Sequence, residues 1–463
     1  MRCDALDAGS KVKIMSETSS TETPSASESS PLGAAIPYDR FLDCVHCGLC
    51  TSACPTYLET GNENDSPRGR IYLMRAVTDG RLPMSDTVQR HLDLCLDCRS
   101  CETACPSGVQ YGRLIEPFRV DLEQAEAKKN GGPGWFRRFV LYGLFPYPNR
   151  MKWALLPARW MQKLKLDRLI EKLGLTRLLP TPLRRMQSLL PPLSARPSNL
   201  PTVLPPIGPK RAKVGLFTGC VAEAVFAETN RATARVLQAN GCEVVIPPEQ
   251  NCCGAIHYHS GASDPAIDFF TRNLKAFPDD LDAIIVNVAG CGSMLKDYGH
   301  VAKELRPDDT NLQESLETFA GRIKDISEFL VELGPIPPTH PVPVKATYHD
   351  ACHLVHAQQV RSAPRVLLGL IPELELIPLT ESDICCGAAG SYNLTEPEMA
   401  DRLAKRKRQN IESTGAEIVI SANAGCTLQI GAELRKNGQT LPVVHPVDLL
   451  DRSYHGSSPI PIS

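Results

Sequence analysis

The stretch Cys44-Val45-His46-Cys47-Gly48-Leu49-Cys50-Thr51-Ser52-Ala53-Cys54-Pro55 returns as Cys95-Leu96-Asp97-Cys98-Arg99-Ser100-Cys101-Glu102-Thr103-Ala104-Cys105-Pro106. Three cysteines at two-residue gaps let one tight loop offer three thiolates to three iron corners of a cubane. The fourth cysteine, followed by proline, ligates the other cluster in two-cluster ferredoxins. The expected sets are Cys44, Cys47 and Cys50 with Cys105, and Cys95, Cys98 and Cys101 with Cys54. Zinc sites usually pair two C-x2-C knuckles instead, so the reading is two [4Fe–4S] clusters. Cubanes with four thiolate ligands have no open iron and pass electrons singly, which makes this module a relay.

Working outward, forty residues separate Cys54 from Cys95, too many for a small β-type bacterial ferredoxin. Residues 70–78 and 86–94 read as helices, so residues 36–130 are expected to form a helical ferredoxin-type domain. Arg68 and Arg70 would offset cluster charge and raise the potentials. His46 and His91 read as structural, because each cluster already has four thiolates.

Beyond residue 210 a second repeat appears. Cys220, Cys252-Cys253-Gly254 and Cys291 are followed by Cys352, Cys385-Cys386-Gly387 and Cys426, at offsets of 132, 133 and 135 residues. Apolar runs at 213–217, 282–288, 344–348 and 417–421 lead into these cysteines, with helical patterns at 222–240 and 398–413 between them. Alternating strand and helix predicts a mostly parallel sheet in each half, residues 211–335 and 336–455. The cysteines would gather beyond the carboxyl ends of the strands, where open α/β sheets place ligands. Each quartet is open to an iron–sulfur cluster, to zinc or to packing as buried thiols. His257, His259, His353, His356 and His349 lie near them and read first as structural. Cys3 and Cys242 belong to neither pattern.

The remaining sequence bounds the rest. In 463 residues there are 50 basic and 52 acidic side chains, a net charge of -2, so no overall field points to nucleic acid. No apolar run reaches the roughly 18–20 residues of a membrane span, and no secretory h-region opens the chain. Without export, 18 cysteines argue for metal or redox use rather than disulfides. Residues 16–31 hold ten Ser or Thr, so residues 1–35 read as a disordered tail. Met15 is an alternative start, and Glu17, Glu22 and Glu28 argue against a transit peptide. Residues 131–210 form a connecting segment. Its part between Trp135 and Arg196 carries thirteen Lys or Arg against Asp167 and Glu171, together with Trp135, Trp153 and Trp160. Leu166, Leu169, Ile170 and Leu173 make a helical apolar stripe, which suits either an anionic membrane surface or packing on the repeat. The prolines from Pro180 to Pro209 read as an extended linker. No phosphate loop, dinucleotide fingerprint or nucleophile elbow is found, so no flavin is expected on this chain.

The paired Cys, Cys-Cys-Gly, Cys pattern resembles the cysteine-rich CCG domains first associated with heterodisulfide reductases. There the last element is C-x-x-C, and five cysteines bind a noncubane cluster. Here Met294 and Gln429 stand at the fifth position, which tells against thiol-reductase chemistry. Val45-His46-Cys47-Gly48, residues 66–73 (Ser-Pro-Arg-Gly-Arg-Ile-Tyr-Leu), residues 98–108, His356-Ala357-Gln358 and residues 385–392 resemble the iron–sulfur subunits of bacterial glycolate oxidase (glycolate dehydrogenase). That resemblance implies an α+β multidomain chain: a helical two-[4Fe–4S] module, then two α/β CCG domains with mostly parallel sheets. It further implies FAD-containing dehydrogenase partner subunits that oxidise glycolate to glyoxylate, electron flow through this chain towards a membrane quinone, and a cytoplasmic or peripheral membrane location. Related subunits serve D-lactate and glycerol 3-phosphate dehydrogenases, which are alternatives, as is a heterodisulfide-type thiol reductase acting at the CCG cysteines.

Overall fold

The computed structural model describes residues 32–130, 134–166, 170, 180–193 and 200–456. The Ser/Thr-rich stretch 16–31, and Leu169 and Leu173 of the apolar stripe, lie outside the described residues.

The N-terminal module is helical. Its longer helices are Pro55–Thr60 (α1), Pro67–Thr78 (α2), Asp86–Asp93 (α3) and Gly112–Asn130 (α4). Local chemistry sets their starts. Pro55 and Pro67 occupy first-turn positions, where a missing N–H is no loss. The Ser66 and Ser85 hydroxyls accept from Gly69 N and Val88 N, capping α2 and α3. Ile71, Met74 and Val77 of α2 and Val88 and Leu92 of α3 then bury against Leu114, Ile115 and Phe118 of α4.

The connecting segment is more helical than its prolines suggest. Helices Pro148–Ala154 (α5) and Leu156–Lys163 (α6) are followed by Thr181–Leu189 (α7). The stretch expected to be an extended linker is thus helical over Thr181–Leu189. Pro182 sits in the first turn of α7, and the next proline is Pro191, so nothing interrupts the intervening turns. Two arginines of this basic segment are engaged within the chain. Arg137 pairs with Glu123, and Arg185 reaches Asp401 Oδ1 at 2.6 Å.

The two repeat halves build sheets of matching order. In the first, β1 (Val203–Leu204), β2 (Ala212–Phe217), β3 (Cys242–Val245), β4 (Ala283–Val286) and β5 (Ile323–Asp325) align as β1-β3-β2-β4-β5. Only the edge strand β1 runs antiparallel. In the second, β6 (Val344–His349), β7 (Leu374–Ile377), β8 (Ile418–Ser421) and β9 (Val443–Val444) align as β7-β6-β8-β9, all parallel. Val214, Leu216 and Ile285 from one sheet share a single buried cluster with Ala346, Tyr348 and Ile420 from the other. The helix Ala227–Ala239 (α8) packs on the helix Pro446–His455, and Arg235 pairs with buried Asp451 across that contact at 2.7 Å.

Candidate metal centres

The second ferredoxin loop and Cys54 surround a small pocket lined by Cys54, Cys95, Cys98, Cys101, Arg70 and Tyr111 among others. These four cysteines are buried. Backbone Asp97 N donates to Cys95 Sγ at 3.4 Å and Tyr111 OH donates to the same sulfur at 3.6 Å. Arg70, 1% exposed, points Nη1 at Cys54 Sγ from 3.9 Å. Four converging sulfurs, donors aimed at them, a buried cation and room between them fit a thiolate-bound cluster.

Both loops are wound the same way. His46 and Gly48 in the first, Asp97 and Arg99 in the second, adopt left-handed backbone at equivalent places. Three of the four carry a side chain, at a cost of order 1–3 kcal/mol each that the surroundings must hold. In the first loop Arg68 Nη1 donates to the His46 carbonyl at 2.9 Å, and a Cβ on Gly48 would come within 2.6 Å of it. Cys44 faces the thiols of Cys105 and Cys47, and burial pushes Cys50 up to about 11. His91 is tied to Asp65 at 2.8 Å.

In the repeat, every cysteine of the two quartets lies past a strand end. Cys220 and Cys352 follow β2 and β6. Cys291 and Cys426 sit in the first turns of helices Ala289–Lys296 (α9) and Ala424–Lys436, where the helix dipole favours a thiolate. Cys220 and Cys252 sulfurs stand 3.5 Å apart, and Cys352 and Cys385 sulfurs 3.9 Å. Four ligands ~2.3 Å from one metal stand ~3.8 Å apart, so these spacings suit thiolates around a metal. The glycine of each Cys-Cys-Gly has φ of +86° or +87°, and a Cβ there would meet Phe270 at 2.7 Å or the Ala400 carbonyl at 2.7 Å.

The fifth positions offer no thiolate. Gln429 Nε2 donates to the Ala400 carbonyl at 3.2 Å, its Oε1 accepts from Asn393, and Met294 is core. Sequence reasoning passed over Lys407, a member of the charged run 405–408. It is 2% exposed, donates to the Glu381 and Ser382 carbonyls, and faces Cys386 and Cys385. Asn423 Nδ2 donates to Cys426 Sγ at 3.3 Å. Burial, with Lys407 beside it, pushes His349 down to about 3, leaving a neutral imidazole.

The module and the repeat meet at these sites. Cys98 packs in one cluster with Cys352 and Cys385, and Tyr392 OH donates to the Leu94 carbonyl at 2.9 Å. Thr103 Oγ1 lies 2.9 Å from His356 Nδ1, and His353 Nδ1 3.5 Å from Cys352 Sγ. His257 stacks on Tyr142 with ring centroids 4.8 Å apart. His259 lies 3.7 Å from Asp97 and 3.6 Å from Glu116. Arg99 joins Glu116 at 2.6 Å to Asp297 at 3.0 Å, locking the second loop to the first half.

A two-loop ferredoxin module docked on a duplicated cysteine-rich α/β pair defines an iron–sulfur electron-transfer subunit. Residues 40–109 match the 4Fe-4S dicluster domain, 132–190 the glycolate oxidase iron-sulfur subunit linker region, and 214–296 and 346–431 the cysteine-rich domain. The chain is 40% identical to the probable glycolate oxidase iron-sulfur subunit of Bacillus subtilis, over 89% of this chain and 93% of the relative. It is 33% identical to the glycolate oxidase iron-sulfur subunit of Escherichia coli, with the same coverage of both chains. The chain therefore belongs to the glycolate oxidase iron–sulfur subunit family. A further relative, lactate utilization protein A of Oceanobacillus iheyensis, is 31% identical over 53% of this chain and 98% of its own length. The crystal structure of a hypothetical protein from Helicobacter pylori shares the fold, with a TM-score of 0.51 at 11% identity over 91% of this chain and 75% of that one.

Proposed function

We propose that this chain takes electrons from an FAD-containing partner that oxidises glycolate to glyoxylate, and hands them towards a membrane quinone. The observation that carries the reading is the succession of sulfur sites: Cys44, Cys50 and Cys105, beside exposed Cys47, pack against Cys95 and Cys101, and Cys98 of that second loop packs with Cys352 and Cys385. Cys44, Cys47, Cys50 and Cys105 would hold one cluster, and Cys95, Cys98, Cys101 and Cys54 the other; the quartets would hold further metal. Bound clusters supply one-electron redox chemistry. The protein's own groups do the rest. Arg70, Tyr111 and the Asp97 amide place positive charge and donors at the second set, which raises its potential. Burial excludes water from Cys98 and Cys101.

Trp135, Phe139, Trp153 and Trp160 are exposed on the basic connecting segment. They suit a membrane surface or quinone-bearing partner, because indole rings settle at lipid interfaces and basic residues at anionic headgroups. Among the described residues no helix is long and apolar enough to cross a membrane. Met294 and Gln429 at the fifth positions speak against independent thiol reduction. The test is to mix the anaerobic chain with its FAD subunits and follow iron–sulfur absorbance. Glycolate should bleach it and the isolated chain should not respond; bleaching by D-lactate or glycerol 3-phosphate instead would reassign the substrate.

A further inference from the structure

The two quartets differ in what stands three residues before their first cysteine. In the second half it is His349, at the end of β6 and fully buried. Its Nδ1 donates to the Ser382 carbonyl at 3.0 Å, which fixes the tautomer and leaves the Nε2 lone pair bare. That Nε2 has no hydrogen-bond partner. A ring nitrogen of His349 and the sulfurs of Cys386 and Cys426 lie within 4.8 Å of one another. A buried acceptor left unpaired is destabilising unless something fills it. Here the tied Nδ1 is the arrangement usual for metal-binding imidazoles, whose second nitrogen is anchored to a carbonyl or carboxylate. The same place in the first half is Phe217, 1% exposed and packed with Phe277, which offers no donor.

Resting on the reading of the quartets as metal sites, we infer that the second half holds one thiophilic metal ion, zinc or ferrous iron, with His349 Nε2, Cys386 Sγ and Cys426 Sγ among its ligands. The first half's quartet is then all sulfur. Three donors gathered so closely suit a single ion, whereas a cubane spreads its thiolates over separate corners. Cys385, hydrogen-bonded to Cys386, supplies the fourth position. The Asn423 amide on Cys426 and the buried ammonium of Lys407 balance the thiolate charge.

The test uses the full chain, purified anaerobically. Zinc and iron are counted per chain, and X-ray absorption is recorded at both metal edges. His349→Phe, which copies the first half, should lose about one metal equivalent and the nitrogen scatterer, as should Cys386→Ser, while Cys253→Ser, a change confined to the first quartet, keeps the nitrogen scatterer. His349→Cys should restore the metal with sulfur in place of nitrogen, and it carries the test if His349→Phe fails to fold. The edge that changes names zinc or iron. Full metal and an unchanged nitrogen scatterer in folded His349→Phe would overturn the inference alone. Unchanged metal in Cys386→Ser as well would overturn the metal reading of this quartet, and the inference with it.

Discussion

The halves of the repeat share strand order, cysteine placement and the left-handed glycine, yet their sulfur sites sit in different media. Cys220, Cys252 and Cys253 lie among Phe217, Phe269, Phe270 and Tyr298, and the Asn273 amide and Tyr298 hydroxyl hold the Cys252 and Cys253 carbonyls rather than the sulfurs. The second quartet has His349, Lys407 and Asn423 beside its sulfurs and Cys98 of the ferredoxin module against it. Duplication copied the backbone scaffold; the side chains around it then gave each copy its own dielectric and its own neighbour.

The sharpest way to break this comparison is at Cys98. Cys98→Ser should cost about four irons, since a cubane that loses a thiolate ligand is seldom retained. It should also perturb the metal signal of the second half and spare that of the first. Iron analysis with EPR of the reduced chain checks this, and equal disturbance of both halves would deny the second its special position. Ile285 and Ile420 are a smaller probe, fully buried at matched places in β4 and β8 of the shared core. Ile285→Ala and Ile420→Ala should each cost about 3 kcal/mol and lower one common melting transition. Two separate transitions in calorimetry would show that the halves are independent.

The smallest expected effect lies at the helix caps. Asp325 opens the helix Ile326–Leu333 with a capping box in the first half; in the second, His445 opens Pro446–His455 and pairs with Asp448. Burial raises Asp448 to about 7, with Asp451 and Glu228 adding to it. The folded chain then keeps that proton where the unfolded chain has lost it, so rising pH removes stability between about 4 and 7 and nothing further above that. Asp448→Asn should gain roughly 2 to 3 kcal/mol over the wild type on going from pH 5 to pH 8, about 1.4 kcal/mol for each pH unit between 5 and 7, read as a Tm difference of a few degrees. Burial depresses His445 to about 4, which works in the opposite sense. His445 is common to both proteins, so the difference isolates Asp448.

What the sequence made legible follows from what local pattern can encode. Cysteine spacing is strictly local chemistry, so both loops could be assigned from their gaps, and the offset of 132 to 135 residues revealed the duplication. The strands entering Cys220, Cys291, Cys352 and Cys426 were readable as apolar runs. β1, β5 and β9 were not, because two or three residues carry no period. Lys407 was hidden because four charges in a row, 405–408, read alike, and only tertiary packing selects which of them is buried. His349 was in view as one of five histidines. Laying the halves over each other at the cysteine offset would have singled it out, since it stands opposite a phenylalanine.

The common core has a consequence in time. Val214 and Leu216 find partners in Ala346, Tyr348 and Ile420 only after more than a hundred further residues have been made. At ~5–20 residues per second of synthesis, the first half waits on the order of ten seconds with one face of its sheet uncovered. The ferredoxin loops, made earlier still, wait for both halves before Arg99 and Tyr392 can fasten them. Metal insertion therefore has a window that opens at translation and closes when the last strand docks, and a chaperone that lengthens it would raise the yield of filled sites without touching a ligand.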